Sequence, residues 1–160
     1  MDTTHATTAD AELVLHLYDL RREAEMRKAR NWFAEEFWPQ NFSDVEQLMS
    51  QFGSPQNRWF RQLVSYWEMA AALVLRGALQ QALFLDTCGE AWFVYAKLKP
   101  FLKEHRAKFM PEFLSRVEKV VEGSAEGRER LQHMEAMIAR FAARASERKS
   151  QQKPAANASS

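Results

Sequence analysis

The sequence predicts an all-α fold, an irregular helical bundle with a long N-terminal helix and a long C-terminal helix. Apolar residues recur three and four positions apart, which is the spacing of one face of a helix. No stretch of useful length alternates between apolar and polar residues, as a half-buried strand would. Glycine and proline stand mainly where the apolar periodicity stops, as expected at helix ends.

Length and composition are those of one packed domain. The chain has 160 residues, of which 46% are hydrophobic, and its eleven Phe, five Trp and three Tyr supply large side chains for a core. We expect a single helical domain over residues 10–145. Residues 1–9 and 146–160 are predicted to be disordered, and the second segment contains no large apolar residue.

The first helix is predicted to begin near Thr8 or Asp10, either of which can cap free backbone N–H groups, and to run to Trp38. Pro39 prevents its continuation. An unbroken helix of about 30 residues would be about 45 Å long, more than the diameter of a small domain. Its N-terminal half should therefore leave the bundle or contact another chain. The apolar stripe comprises Leu13, Leu17, Leu20, Ala24, Ala29, Trp32, Phe33 and Phe37.

Capping signals divide the middle of the chain. Ser43 and Glu46 have the spacing of a capping box for a short helix that ends at Gly53. Ser54 followed by Pro55 predicts the start of a longer helix toward Arg76, because proline fits the first helical turn. One face of this longer helix is apolar and is the most clearly predicted part of the core. It comprises Phe60, Leu63, Val64, Trp67, Ala71 and Val74.

Three shorter helices and a long one are predicted after Gly77. A short helix is predicted through Leu79, Leu83 and Phe84. Another spans about Cys88 to Leu98, with Trp92 and Tyr95 facing inward, and Pro100 interrupts it. Pro111 should open a helix that Gly123 stops, and Ser124 can cap the last helix. That helix carries a coiled-coil-like seam of about two heptads. The seam comprises Leu131, Met134, Ile138, Phe141 and Ala145.

Charge and cysteine usage narrow the functional classes. The 22 Lys and Arg against 21 Asp and Glu leave a formal charge of +1, so no global field favours nucleic acid or anionic lipid. The single cysteine, Cys88, cannot form an intramolecular disulfide and suits a reducing compartment. The longest apolar run, Met69–Leu75, is far shorter than a membrane span, and residues 1–10 lack the pattern of a secretory signal. We expect a cytoplasmic protein.

The segment LVSYWEMAAALVLRGALQQALFLDTCGEAWFVYAKLKPFLKEHR, residues 63–106, resembles a family of bacterial all-helical domains of unknown function. The resemblance implies no activity. Relatives in that family often carry an N-terminal membrane segment, which is not found in this sequence, so membrane association is not carried over. The resemblance depends on Tyr66, Trp67 and Glu68 within one helix, on Gly77 at its end, and on Pro100, Phe101 and Arg106.

Glu68 is the carboxylate of most interest, because it lies next to Trp67 in an apolar stretch that should be buried. A buried carboxylate must be paired or protonated. Arg106 is one candidate partner, and a structural ion pair that fixes helix register is the favoured interpretation. Catalysis by Glu68 is the alternative, but no matched nucleophile or base is visible, so no catalytic residue is predicted. The other candidate partners are Arg22, Arg61 and Arg76.

Two Glu/His pairs have helical spacing. Glu12 with His16, and Glu129 with His133, could each present two metal ligands on one face, and four ligands would converge if the terminal helices met. Exposed helix pairing explains the same spacing more simply, so no metal or other cofactor is predicted. His16 and His133 remain the weak candidates.

The remaining histidines and the cysteine indicate no chemistry. His5 falls in the predicted disordered start and His105 in a predicted charged turn. Cys88 would need a base close by to act as a nucleophile, and its neighbours Asp86, Thr87 and Gly89 are typical of a turn and a helix cap.

Basic residues are concentrated near both ends of the chain, but acidic residues interleave them, which favours a solvated helix face over nucleic-acid binding. The N-terminal cluster comprises Arg21, Arg22, Arg27, Lys28 and Arg30. The C-terminal cluster comprises Arg128, Arg130, Arg140, Arg144, Arg148 and Lys149. The interleaved acids are Asp19, Glu23, Glu25, Glu126, Glu129 and Glu135.

Three functional hypotheses follow from these patterns. The favoured one is a helical interaction or scaffold module, which binds a protein partner or forms a homo-oligomer by burying the apolar stripes of the terminal helices. The second is a metal-binding or enzymatic bundle that uses Glu68 or the two Glu/His pairs. The third is a nucleic-acid-binding regulator that uses one of the basic clusters.

Overall fold

The computed structural model describes residues 5–151, and this part of the chain is helical, without a strand. The predicted all-α fold is confirmed. A 3-10 turn at Lys99–Phe101 joins the sixth and seventh helices. The helices are α1 (Thr8–Arg22), α2 (Ala24–Glu35), α3 (Phe42–Ser50), α4 (Pro55–Leu75), α5 (Gln81–Thr87), α6 (Glu90–Leu98), α7 (Leu102–Lys108), α8 (Ser115–Glu122) and α9 (Ala125–Gln151).

The predicted long N-terminal helix is divided in two at Glu23. The backbone of Glu23 is extended, with φ −55° and ψ 143°, and its carboxylate accepts hydrogen bonds from the N–H groups of Glu25 and Met26 at 2.9 and 3.0 Å. Glu23 therefore ends α1 and caps α2. Helix α1 folds back against α2 and α5, so it does not protrude from the bundle as the sequence predicted.

Helix α4 lies at the centre of the bundle, with α2 and α8 packed against it. Its start follows the prediction, since the side chain of Ser54 accepts a hydrogen bond from the N–H of Asn57, and Pro55 is the first helical residue. Gly77 has the positive φ of +72° that favours glycine after a helix. The predicted apolar face is confirmed, because all of its members are buried: Phe60, Leu63, Val64, Trp67, Ala71 and Val74.

The start of one helix and the position of His105 differ from the prediction in the second half of the chain. Helix α8 begins at Ser115 rather than at Pro111, because Leu114 adopts a left-handed conformation with φ 54°. Residues 109–114 therefore form an irregular turn between α7 and α8. His105 is in helix α7 and is buried, so its predicted position in a charged turn is wrong.

The long C-terminal helix is confirmed as α9, which packs against α6 and α8. Leu131 is buried, and Met134 and Ile138 pack against the core, so this part of the predicted seam is used within the chain. The helix continues to Gln151, and residues 146–151 are helical although the sequence predicted disorder there. At the other end, α1 begins at Thr8, within the segment 1–9 that was predicted to be disordered. Residues 1–4 and 152–160 lie outside the described residues.

None of the helices within residues 5–151 combines the length and the apolar character that a membrane span requires.

Candidate functional site

Glu68 caps a neighbouring helix. One carboxylate oxygen accepts hydrogen bonds from the N–H groups of Arg116 and Val117, each at 3.0 Å, in the first turn of α8. The other oxygen pairs with the guanidinium of Arg116 at 3.1 Å. The residue at the N-cap position, Leu114, has no side-chain acceptor, so Glu68 provides from α4 the negative group that a helix N-terminus favours.

Arg106 was predicted as one candidate partner of Glu68, but it pairs with other groups. It pairs with Glu118 at 2.8 Å and donates a second hydrogen bond, at 2.9 Å, to the carbonyl of Phe113. The hydroxyl of Tyr95 donates to Glu118 or Glu122, at 3.1 and 2.7 Å. Burial and these carboxylates raise the pKa of Tyr95. The network links α6, α7 and α8, and its role is structural.

A depression of about 840 Å³ lies between α4 and the turn that precedes α8. Its floor is mainly apolar, and it is partly rimmed by charged residues, which is typical of binding sites. Phe109 and Met110 on its edge are 40% and 56% exposed. The apolar lining residues are Met49, Phe60, Val64, Phe109, Met110, Phe113 and Leu114.

A second depression, of about 350 Å³, continues the first, since Glu112 and Arg116 line both. Together they form a groove along the outer face of α4, which we call the α4 groove. The α4 residues that line it at alternating steps of three and four are Arg58, Arg61, Ser65, Glu68, Ala72 and Leu75. These residues share one face of α4, which extends for about 25 Å along the helix.

The charges of the α4 groove are unbalanced. Five basic and two acidic side chains line it, and both acids are engaged, Glu68 with α8 and Glu112 with the hydroxyl of Ser115 at 3.1 Å. Within residues 5–151, no carboxylate pairs with four of the five basic groups. The four are Arg58, Arg61, Arg76 and Lys119.

His105 lies under the groove and is 2% exposed. Its ring stacks on that of Phe113, with centroids 3.7 Å apart, and neither ring nitrogen has a hydrogen-bond partner among the described residues. Burial, together with the nearby charge of Arg106, lowers the pKa of His105 to about 4. The imidazole is therefore neutral at pH 7 and belongs to the apolar floor of the groove.

Lys97 is a buried cation that sequence analysis missed. It is 3% exposed, and its ammonium donates a hydrogen bond to the carbonyl of Phe33. The Nζ atom lies 3.5 Å from the ring centroid of Trp38, 4.6 Å from that of Phe33 and 5.3 Å from that of Phe93. Burial lowers the pKa of Lys97 to about 7, while the aromatic faces and the carbonyl favour the charged form.

Lys97 is not accessible to a substrate. Trp38 and Phe93 line a depression of about 670 Å³ between α2 and α9, and Lys97 lies behind them without reaching it. The ammonium instead donates its hydrogen bond at the C-terminal end of α2, where the last carbonyls have no partner within the helix. A solitary lysine in the otherwise apolar run Ala91–Leu98 was the available sequence signal.

Cys88 is buried, and the hydroxyl of Thr87 lies within hydrogen-bond distance of its thiol at 3.6 Å. Burial raises the pKa of this thiol, which disfavours the reactive thiolate. A polar cluster nearby is structural, because Glu90 accepts from Arg30 at 2.7 Å, and the Trp67 indole approaches it at 3.4 Å. This pairing raises the pKa of Arg30.

The two Glu/His pairs do not converge. Glu12, His16, Glu129 and His133 are all exposed, on helices that pack against different partners. Across the described part of the chain, no three His, Cys, Asp or Glu side chains are grouped so that they could hold a metal ion. Several members of the predicted basic clusters are engaged instead: Lys28 pairs with Glu25, and Arg130 pairs with Asp86 and Glu126.

The described residues form an all-helical domain with an open groove along α4. Residues 6–124 match the model of the family described as "Domain of unknown function (DUF4760)". Since this match covers well over half of the chain, the protein belongs to that family. The match ends immediately before α9 and contains the whole α4 groove. No curated protein and no solved structure matches the chain.

Proposed function

We propose that this domain is a helical protein-interaction module whose α4 groove binds a helical segment of a partner protein. The observation that carries the proposal is the open depression beside α4, whose floor is mainly apolar and whose edge exposes Phe109 and Met110. Small side chains at Ser65 and Ala72 allow a second helix to approach closely. An amphipathic helix in a groove is a recurring mode of recognition.

The proposal keeps the class of function predicted from the sequence but moves its location. The sequence placed the interaction on the long terminal helices. Helix α1 is folded against the bundle, and the first residues of the α9 seam are packed within the chain. The α4 groove combines exposed apolar residues, Phe109 and Met110, with a mainly apolar floor in one depression. The proposed location in the cell is the cytoplasm, on the basis of the single cysteine.

Photo-crosslinking within the cell tests this proposal. A photoreactive phenylalanine analogue is placed at Ser65, in the centre of the groove, and in a matched control at Gln132, an exposed position on α9. We expect a protein adduct from position 65 that position 132 does not produce. Mass spectrometry then identifies the crosslinked segment of the partner.

The identified segment, as a synthetic peptide, is titrated calorimetrically against the natural chain, Ser65→Trp and Gln132→Trp. A tryptophan at position 65 fills the groove, so we expect binding about tenfold weaker or worse, with Gln132→Trp unaffected. The proposal is wrong if position 65 yields no specific adduct, or if Ser65→Trp binds the segment as tightly as the natural chain.

A further inference from the structure

We infer that the occupant of the α4 groove is an acidic amphipathic helix of another protein. This inference rests on the proposed function, because it names the chemistry of the partner that the groove binds. It depends on the charges around the groove and on their positions relative to its apolar floor.

Cations that pair with no carboxylate among residues 5–151 lie toward both ends of the groove. Arg58 and Arg61 are near the start of α4, whereas Arg76 and Lys119 line the other depression. A helix that lies along α4 brings its polar flanks close to these groups. Carboxylates at those flanks gain complementary charges, whereas lysines meet like charges. The groove therefore selects for Glu and Asp on the partner, although the whole chain has a formal charge of only +1.

The two acids of the groove do not reverse this preference. Glu68 is 14% exposed in its side chain and its oxygens are held by the α8 backbone and Arg116. The Arg116 guanidinium is offset by Glu68, so four cations against Glu112 leave a net positive charge around the groove. Glu112 lies where the two depressions join, away from the Arg58 and Arg61 end.

The apolar part of the partner helix is expected to contact the larger depression. Phe60, Val64 and Phe113 form its floor, and Phe109 and Met110 stand at its edge. A volume of about 840 Å³ accommodates large side chains such as Leu or Phe from successive turns of the partner. Burial keeps His105 neutral where its ring stacks against Phe113, so this floor is uncharged.

A second copy of the same chain fits the groove less well. In a two-fold symmetric dimer the same surface is present on both sides of the interface. Pairing groove to groove along α4 would bring Arg58 and Arg61 of one copy close to the basic groups of the other, and like charges oppose such contacts. The observations therefore favour a different, acidic protein.

Selection from a phage-displayed peptide library tests the inference. The library encodes helices of about 17 residues, long enough to follow the groove, with leucine fixed at the seam positions and Glu or Lys allowed at each flanking position. Selection is run in parallel on the natural chain, on Ser65→Trp with its blocked groove, and on the double variant Arg58→Glu with Arg61→Glu. Sedimentation of the natural chain and of Ser65→Trp is measured alongside.

We expect binders of the natural chain to be enriched in Glu over Lys, to be lost on Ser65→Trp, and to lose the Glu bias on the double variant. Binders without a charge bias, or with a Lys bias, would overturn the inference and leave the proposed function standing. Failure to enrich any helix over Ser65→Trp would contradict both. A dimer that Ser65→Trp abolishes would show that a second copy occupies the groove, which also overturns the inference.

Discussion

The buried ammonium of Lys97 donates a hydrogen bond to the backbone carbonyl of Phe33, one of the last four residues of α2. No basic residue of α2 itself lies in its last turn, so α6 supplies the positive charge that this helix end favours. The ring of Trp38, which follows α2, then packs over the ammonium. One lysine thus fixes the end of α2 and the direction of the chain after it.

This arrangement predicts a pH-dependent stability. The pKa of Lys97 is about 7 in the folded chain and 10.5 in its ordinary state, so the unfolded chain binds more protons between these values. The contribution of Lys97 to the free energy of unfolding therefore rises with pH across this window. Between pH 6.5 and pH 9 the natural chain should gain about 2 kcal/mol relative to Lys97→Met, measured by urea unfolding.

The Lys97→Met variant is the control for other titrations in this range. Cys88, whose pKa burial raises, is present in both proteins, so its effect on the difference cancels. A difference in unfolding free energy that stays constant between pH 6.5 and pH 9 would show that Lys97 does not have a lowered pKa.

The lowered pKa of His105 predicts that stability also depends on pH in the acidic range. Its pKa is about 4 when folded and 6.5 in its ordinary state, so the unfolded chain binds the additional proton and stability falls as the pH drops through this window. His105→Leu should remove about 2 kcal/mol of this acid destabilisation between pH 7 and pH 4. At pH 7 the variant should be about as stable as the natural chain, because it also removes two unpaired buried nitrogens. Equal acid destabilisation of the two proteins would contradict this prediction.

Glu68 and Arg116 should contribute unequally to stability. Glu68→Ala leaves the first turn of α8 without its acceptor and should reduce the free energy of unfolding by about 1–2 kcal/mol. Arg116→Ala should cost less than about 0.5 kcal/mol, because the side chain of Arg116 is 51% exposed and the backbone bonds to Glu68 remain. Chemical unfolding of the two variants measures the two losses in the free energy of unfolding. Equal losses would indicate that the ion pair, rather than the cap, is the main contribution.

Local signals predicted those elements whose ends are determined by neighbouring residues. Ser54, Pro55 and Gly77 delimit α4 by their own backbone preferences, so its bounds and buried face followed from the sequence. The break at Glu23 was missed because glutamate is a rare capping residue and the apolar spacing continues across it.

The contacts of the candidate site were less predictable, because they join residues far apart in the chain. Arg116 is 48 residues from Glu68, and it approaches Glu68 because Leu114 turns the backbone into α8. Sequence analysis recognised Glu68 as a carboxylate that needs a partner but chose among four other arginines. The α4 groove also arises from tertiary packing, since residues of α3, α4, α7 and α8 line it.

The most direct test of binding in the α4 groove uses the methionine methyl groups. The chain has seven methionines, of which Met49 and Met110 line the groove, whereas Met134 and Met137 are on α9. Methyl-labelled protein is titrated with the acidic helix recovered from the selection and followed by NMR. We predict that the Met49 and Met110 signals shift and that the Met134 and Met137 signals stay in place. Shifts confined to the α9 methionines would contradict the proposed site.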